Sequence, residues 1–182
     1  MYRSKLNPQI SLRPQDVVVL LRLALTPGSV PSYAMMADEL KLTASEIHAG
    51  IERAMAGQLV RKDAATGKPA ILLEPLRLFV QHGLRYCFPA TRGEMTRGVP
   101  TGYAAAPLLQ QIVQPNEAPP VWPYKRGSVR GSAFYPLYPT VPEAAQANPA
   151  LYELLALVDA IRGGSLRERA LAIAELDKRW AA

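Results

Sequence analysis

Apolar residues recur three and four positions apart through most of the first third of the chain, the period of a helix with one buried face. Ser11 is placed to cap a helix running to about Leu25, with Pro14 in its first turn and Asp16 near the positive end of its dipole. On this reading Val17, Leu20, Leu21 and Ala24 face the core and Arg22 points outward. The breaker-rich run Thr26–Pro31 ends that helix, and Ser32 caps a short second one with Tyr33, Met36, Ala37 and Leu40 at helical spacing. Lys41-Leu42 interrupts the pattern. Thr43 restarts it and forms a capping box with Glu46. The third helix puts Ile47, Ile51, Ala54 and Met55 on one side, and Ser45, His48, Ala49, Glu52 and Arg53 on the other. Gly57 is expected to close it in the left-handed conformation.

Beyond Gly57 the period shortens. Gln58–Lys62 and Pro69–Leu73 read as two short strands joined by the turn-rich tip Asp63–Lys68. Glu74–Phe88 returns to helical spacing through Leu76, Phe79, Val80 and Leu84, and Cys87 near its end reads as a packed hydrophobe. From Phe88 to Pro142 the periodicity is largely lost, and the segment holds ten of the 17 prolines and five of the 12 glycines. Tyr86, Tyr103, Trp122, Tyr124, Phe134, Tyr135 and Tyr138 argue against disorder there, so an extended, ordered segment lying over another surface is expected. Asn148–Ile161 and Ser165–Trp180 close the chain as two amphipathic helices about Gly163-Gly164, with Asn148-Pro149 and Ser165/Glu168 as their start signals. The expected fold is mainly α with a small β wing. It comprises a winged helix-turn-helix domain (10–88), an irregular Pro/Gly/aromatic segment (89–142) and a C-terminal helical hairpin (143–182).

Charge changes this picture by favouring a polyanionic partner. The net charge is +6: Met1–Cys87 holds 11 basic residues against 7 acidic, Phe88–Thr140 holds 5 against 2, and Val141–Ala182 holds 5 against 6. The excess therefore sits on the first two segments. Met1–Gln9 is a basic arm with Arg3 and Lys5, either frayed or reaching toward a partner. The chain has no run of eighteen apolar residues, and its first residues are not signal-like, so no membrane contact and a cytoplasmic location are expected. One cysteine excludes an internal disulfide and a multi-cysteine metal site.

The candidate chemistry is recognition. A helix in the major groove needs small polar groups near its N-terminus, where backbone and base edges approach closely. Thr43, Ser45, His48 and Ala49 answer that need, Arg53 is a further candidate contact on the same outer face, and Lys41, Arg61, Lys62 and Lys68 are placed to rest on phosphates. Arg92 and Arg97, each in a Thr-Arg-Gly triplet, could clamp a nucleotide, a nucleic-acid backbone or a carboxylate, or could satisfy carbonyls. Lys125–Gly131 is a second basic stretch, read as a hairpin turn or as a nucleic-acid contact beside Trp122 and Tyr124. His48 and His82 lack a neighbouring nucleophile and orienting acid, so no catalytic residue, cofactor or metal is expected.

By element order and caps, Arg13–Leu73 resembles the winged helix-turn-helix domain of bacterial transcription regulators of MarR-like type. The resemblance covers about a third of the chain and implies a transcriptional regulator, a repressor, that reads double-stranded DNA. The C-terminal pattern from Pro136 to Trp180 resembles regulators found with toxin or abortive-infection genes. That opens an alternative: an adaptor or antitoxin-like protein that docks a partner through its winged domain, with 89–142 as a possible protein-binding segment. A homodimer is expected, with one apolar stripe of the closing hairpin covering the winged domain and the other pairing with a second copy.

Overall fold

The chain builds a mainly helical molecule with two small sheets, and its computed structural model describes residues 9–181. The arm expected at Met1–Gln9, with Arg3 and Lys5, lies almost wholly outside the described residues. Helix α1 (Pro14–Ala24) is buried from Asp16 to its end, because its run of valines and leucines leaves no polar face. It packs against α2 (Tyr33–Leu40), α3 (Ala44–Ala56) and, far along the chain, α7 (Pro149–Gly163).

This burial corrects two expectations. The N-cap of α1 is Arg13 rather than Ser11, and Asp16 closes it by accepting from the Arg13 backbone N–H at 2.8 Å. Arg22 does not point into solvent: it is 7% exposed and pairs with Glu39 of α2, donating also to Thr26 Oγ1 at 3.3 Å. A guanidinium on a helix covered on all sides must be paired where it lies.

The caps of α2 and α3 fall where the sequence places them. The Ser32 hydroxyl accepts from Met35 N–H, and Thr43 and Glu46 exchange backbone and side-chain bonds. Between them Lys41 takes the left-handed conformation (φ +55°). At the other end of α3 the expectation for Gly57 fails. Gly57 has φ −81°, and Gln58 carries the left-handed turn at φ +57°. Gln58 N–H then reaches the Met55 carbonyl and Leu59 N–H the Ala54 carbonyl, the double bond pattern of a Schellman closure.

Strands β1 (Val60–Lys62) and β2 (Pro69–Ile71) pair antiparallel, with Arg61 opposite Ala70 and Lys62 opposite Pro69. The Asp63 carboxylate organises their tip by accepting from the backbone of Ala65 and Thr66 and from the Thr66 hydroxyl. Leu73–Cys87 is one helical run, α4 (Leu73–Leu78) and α5 (Leu84–Cys87), with a π-helical turn (Phe79–Gly83) between them. Cys87 is exposed, contrary to expectation; Phe88, one residue on, turns partly inward instead.

The largest correction concerns residues 89–142. They form a three-stranded closed sheet of β3 (Arg92–Pro100), β4 (Pro120–Pro123) and β5 (Val129–Phe134). β3 pairs antiparallel with both others, and β4 and β5 close the ring in parallel through Pro120↔Ser132 and Val121↔Ala133. Strands this tightly wrapped leave no room for side chains at their closest approaches. A Cβ on Gly98 would collide with the Trp122 carbonyl, and one on Gly131 with the Pro119 carbonyl.

Helix α6 (Val141–Ala147) leads into α7, which is buried from Leu154 to Arg162, and α8 (Leu166–Trp180) packs along it. The Asn148 and Ser165/Glu168 start signals hold. α7 is the axis of the molecule, touching α1, α5, α6 and α8, and one continuous apolar cluster runs from Val17 to Trp180. The apolar stripes of α7 and α8 are therefore covered largely by the chain itself, with Leu151, Leu154, Leu155, Val158, Ile161, Leu176 and Trp180 all buried. Among the described residues no helix is long and apolar enough to cross a membrane.

Candidate nucleic-acid interface

Helix α3 is held by its inner face. Ile47, Ile51 and Ala54 are buried in the same cluster as Val17, Leu20 and Met36. Gly50 lets α1 come close, since a Cβ there would stand 2.9 Å from Asp16 Oδ1. The fully buried Asp16 takes two 2.7 Å bonds from Arg53, through Nε and Nη2. That bidentate pair raises the Arg53 pKa and locks α3 to α1. Arg53, expected on the outer face, is thus a structural cation committed to Asp16. A carboxylate buried on α1 offered it a drier and better-matched partner than solvent or phosphate.

The outer face keeps Ser45 and His48 exposed and Ala49 partly so. Thr43 is exposed, but its hydroxyl accepts from Glu46 N–H and donates to Glu46 Oε2 at 2.8 Å, so it is committed to the cap. The Thr43 backbone and side-chain bonds hold the Glu46 carboxyl below its ordinary range. Glu52 is exposed on the same helix. With Arg53 turned inward, the outer face of α3 has no free cation of its own, and positive charge must come from its flanks.

Those flanks supply it. Lys41 stands in the turn before α3, 3.5 Å from Asp38 at the surface. Arg61, Lys62 and Lys68 are exposed on the β1–β2 hairpin, with no carboxylate bonded to them among the described residues. The one acid of the tip, Asp63, is turned to its own backbone, and the Thr66 bonds hold its pKa low. Tyr33 joins hairpin to helix. Its ring lies 5.8 Å from that of His48. It also lines a cleft of about 380 Å³ with Val30, Pro31, Ser32, Gly67, Lys68 and Pro69. Ser45, His48, Tyr33 and Lys68 consequently belong to one continuous surface. Desolvation, and then the Glu52 charge, push the Tyr33 hydroxyl pKa up.

Residue types alone did not single out Tyr33, because its helical spacing reads equally as core. They also gave no sign that the middle segment reaches this surface. Thr140 Oγ1 donates to the Leu40 carbonyl at 2.8 Å, so the segment leading from the closed sheet braces the α2–α3 turn. The arginines of the middle segment divide. Arg92 donates to the Gly163 carbonyl at 2.8 Å and lies over Phe134, whereas Arg97 and Arg130 are exposed, their side chains with no bonded partner among the described residues. Set beside known protein families, curated proteins and solved structures, the chain matches none of them.

Proposed function

We propose that residues 10–88 are a winged helix-turn-helix domain, as the MarR-like resemblance implies, and that the protein is a sequence-specific double-stranded DNA-binding repressor of transcription. One observation carries this reading. A helix anchored by Ile47, Ile51 and the Arg53–Asp16 pair presents small polar groups outward, directly beside a hairpin whose Arg61, Lys62 and Lys68 have no carboxylate partner among the described residues. Ser45 and His48 are the base-reading residues in this account, Ala49 offers a thymine-methyl contact, and the hairpin cations with Lys41 rest on phosphates. Two copies on paired half-sites would add two such contacts, and a light-scattering mass near twice 19.9 kDa is the expected sign.

The test is binding to the protein's own upstream region and to random duplex. Ser45→Ala and His48→Ala should weaken specific binding by about 1–3 kcal/mol each while leaving random DNA nearly unaffected. Their melting should shift little, since exposed substitutions change stability by less than about 0.5 kcal/mol. If His48→Ala holds the upstream region as tightly as the wild type, α3 is not the reading helix.

A further inference from the structure

The closed sheet carries a charge arrangement that does nothing for the free protein. β3 and β5 pair in the register Met95↔Ser132, Thr96↔Gly131, Arg97↔Arg130, which sets two arginines directly opposite each other. Directly opposed residues of an antiparallel pair share one face, and like charges so placed are destabilising. Both are exposed, and neither guanidinium has a hydrogen-bond or ion-pair partner among the described residues. Five other arginines are answered by acids: Arg22 by Glu39, Arg53 by Asp16, Arg77 by Glu74, Arg162 by Asp159 and Arg179 by Glu153. Arg97 and Arg130 instead line an open cleft of about 340 Å³ with Met95, Thr96 and Ser128. The turn from Tyr124 to Gly127, tied down by Tyr124 N–H to the Arg97 carbonyl at 3.1 Å, brings the exposed Lys125 and Arg126 to the same end. Two guanidinium groups and the Ser128 hydroxyl lining an open cleft, with two more cations on the adjoining turn, match phosphate oxygens, which accept from guanidinium forks and from serine.

The cleft is linked through the fold to the start of α3. Thr140 touches the start of the α2–α3 turn at the Leu40 carbonyl. Pro139 shares a depression with Pro123, Tyr135 and Pro136, and Pro123 leads straight into the basic turn. A chain of contacts therefore runs from the turn before α3 to the Arg97–Arg130 face. We propose that the outer face of the β3–β5 ribbon, centred on Arg97 and Arg130, is a second backbone-binding site for the duplex that α3 and the β1–β2 hairpin engage. This rests on the reading of α3 given above, and it adds a sequence-independent contact from a part of the chain outside the winged domain.

The experiment is a salt series of binding isotherms on the upstream duplex and on random duplex. It compares the wild type, Arg97→Gln/Arg130→Gln, and Lys62→Gln/Lys68→Gln. Two lost phosphate contacts should lower the slope of log affinity against log salt by about 1.8, alike on both duplexes. If the ribbon variant keeps the wild-type slope while the hairpin variant loses slope, the ribbon site is overturned and the α3 reading stands. If only the ribbon variant loses slope, the ribbon holds phosphate and the hairpin reading fails. A wild type that binds neither duplex overturns both. The ribbon variant should melt at or above the wild-type temperature in low salt, since it relieves a like-charge pair. Should it melt lower, the single Arg130→Gln variant serves, with an expected slope loss of about 0.9.

Discussion

Two buried aspartate–arginine pairs hold this molecule together, and they do so differently. Asp16–Arg53 joins α1 to α3 across 37 positions, bidentate, with the Arg53 side chain 17% exposed. Asp159–Arg162 lies within α7, three residues apart, with both side chains almost wholly buried. In the second pair each partner is a hub. Asp159 Oδ2 accepts from Thr101 Oγ1 at 2.9 Å and Trp122 Nε1 at 2.5 Å, and Arg162 donates to the Phe88 and Pro89 carbonyls. The first pair sets one helix against another. The second collects the closed sheet, the end of α5 and the central helix at one point, so its loss has more consequences than its Coulomb energy alone.

Asp159→Ala should therefore be the most damaging single change. Removing one partner of a buried pair costs about 3–5 kcal/mol, and here the Trp122 and Thr101 donors are orphaned as well, so the upper end or beyond is expected in urea unfolding. Arg53→Met should cost less, near the lower end of about 3–5 kcal/mol, because water can reach the space that the guanidinium leaves. An Arg53→Met loss equal to or larger than that of Asp159→Ala would reverse the ranking. Ile51→Ala, at the fully buried position beside the first pair, should cost roughly 2–5 kcal/mol, and random-duplex binding per folded molecule should stay unchanged.

The pH dependence gives a finer test, because two acids respond with opposite signs. Burial raises the Asp159 pKa against the pull of Arg162, Trp122 and Thr101. Its contribution is therefore fullest below the ordinary carboxylate range and falls as pH rises through the raised value. Glu175 on α8 is held down to about 2 by Lys178, Arg179 and Gln111, from an ordinary 4.5. Its contribution is complete above 4.5 and is lost as pH drops toward 2. Urea midpoints measured across the acid range should lose one slope in Asp159→Asn and the opposite slope in Glu175→Gln. A shared sign in the two variants would contradict the environments described for them.

Local chemistry was the legible part of this fold. Ser32, Thr43/Glu46, Asn148 and Ser165/Glu168 cap where expected because a cap needs only residues within one turn. The β1–β2 hairpin is equally short-ranged. The closed sheet was hidden because Pro100, Pro120 and Pro123 sit at its strand ends and Gly98 and Gly131 stand where alternation would place side chains. Its register depends on strands some thirty residues apart, which periodicity cannot see. The fates of Arg22 and Arg53 were illegible for a similar reason. Each was set by an acid 17 or 37 positions away, on another helix. Of the expected interface, Ser45, His48, Arg61, Lys62 and Lys68 remain on the surface, Thr43 serves its cap, and Arg53 serves the core.

The position of α7 bears on how this chain comes off the ribosome. Synthesis runs from the N-terminus, yet α1, which supports α3, is completed by a helix that begins only at Pro149. Until that helix emerges, the valines and leucines of α1 lack one of their walls, and the nascent chain carries an unfinished scaffold beneath α3. Helix α7 thus acts as a keystone. The support of α3 would arrive late and all at once, and a fragment ending at residue 88 would keep α1 to α5 without the central helix that packs against α1 and α5.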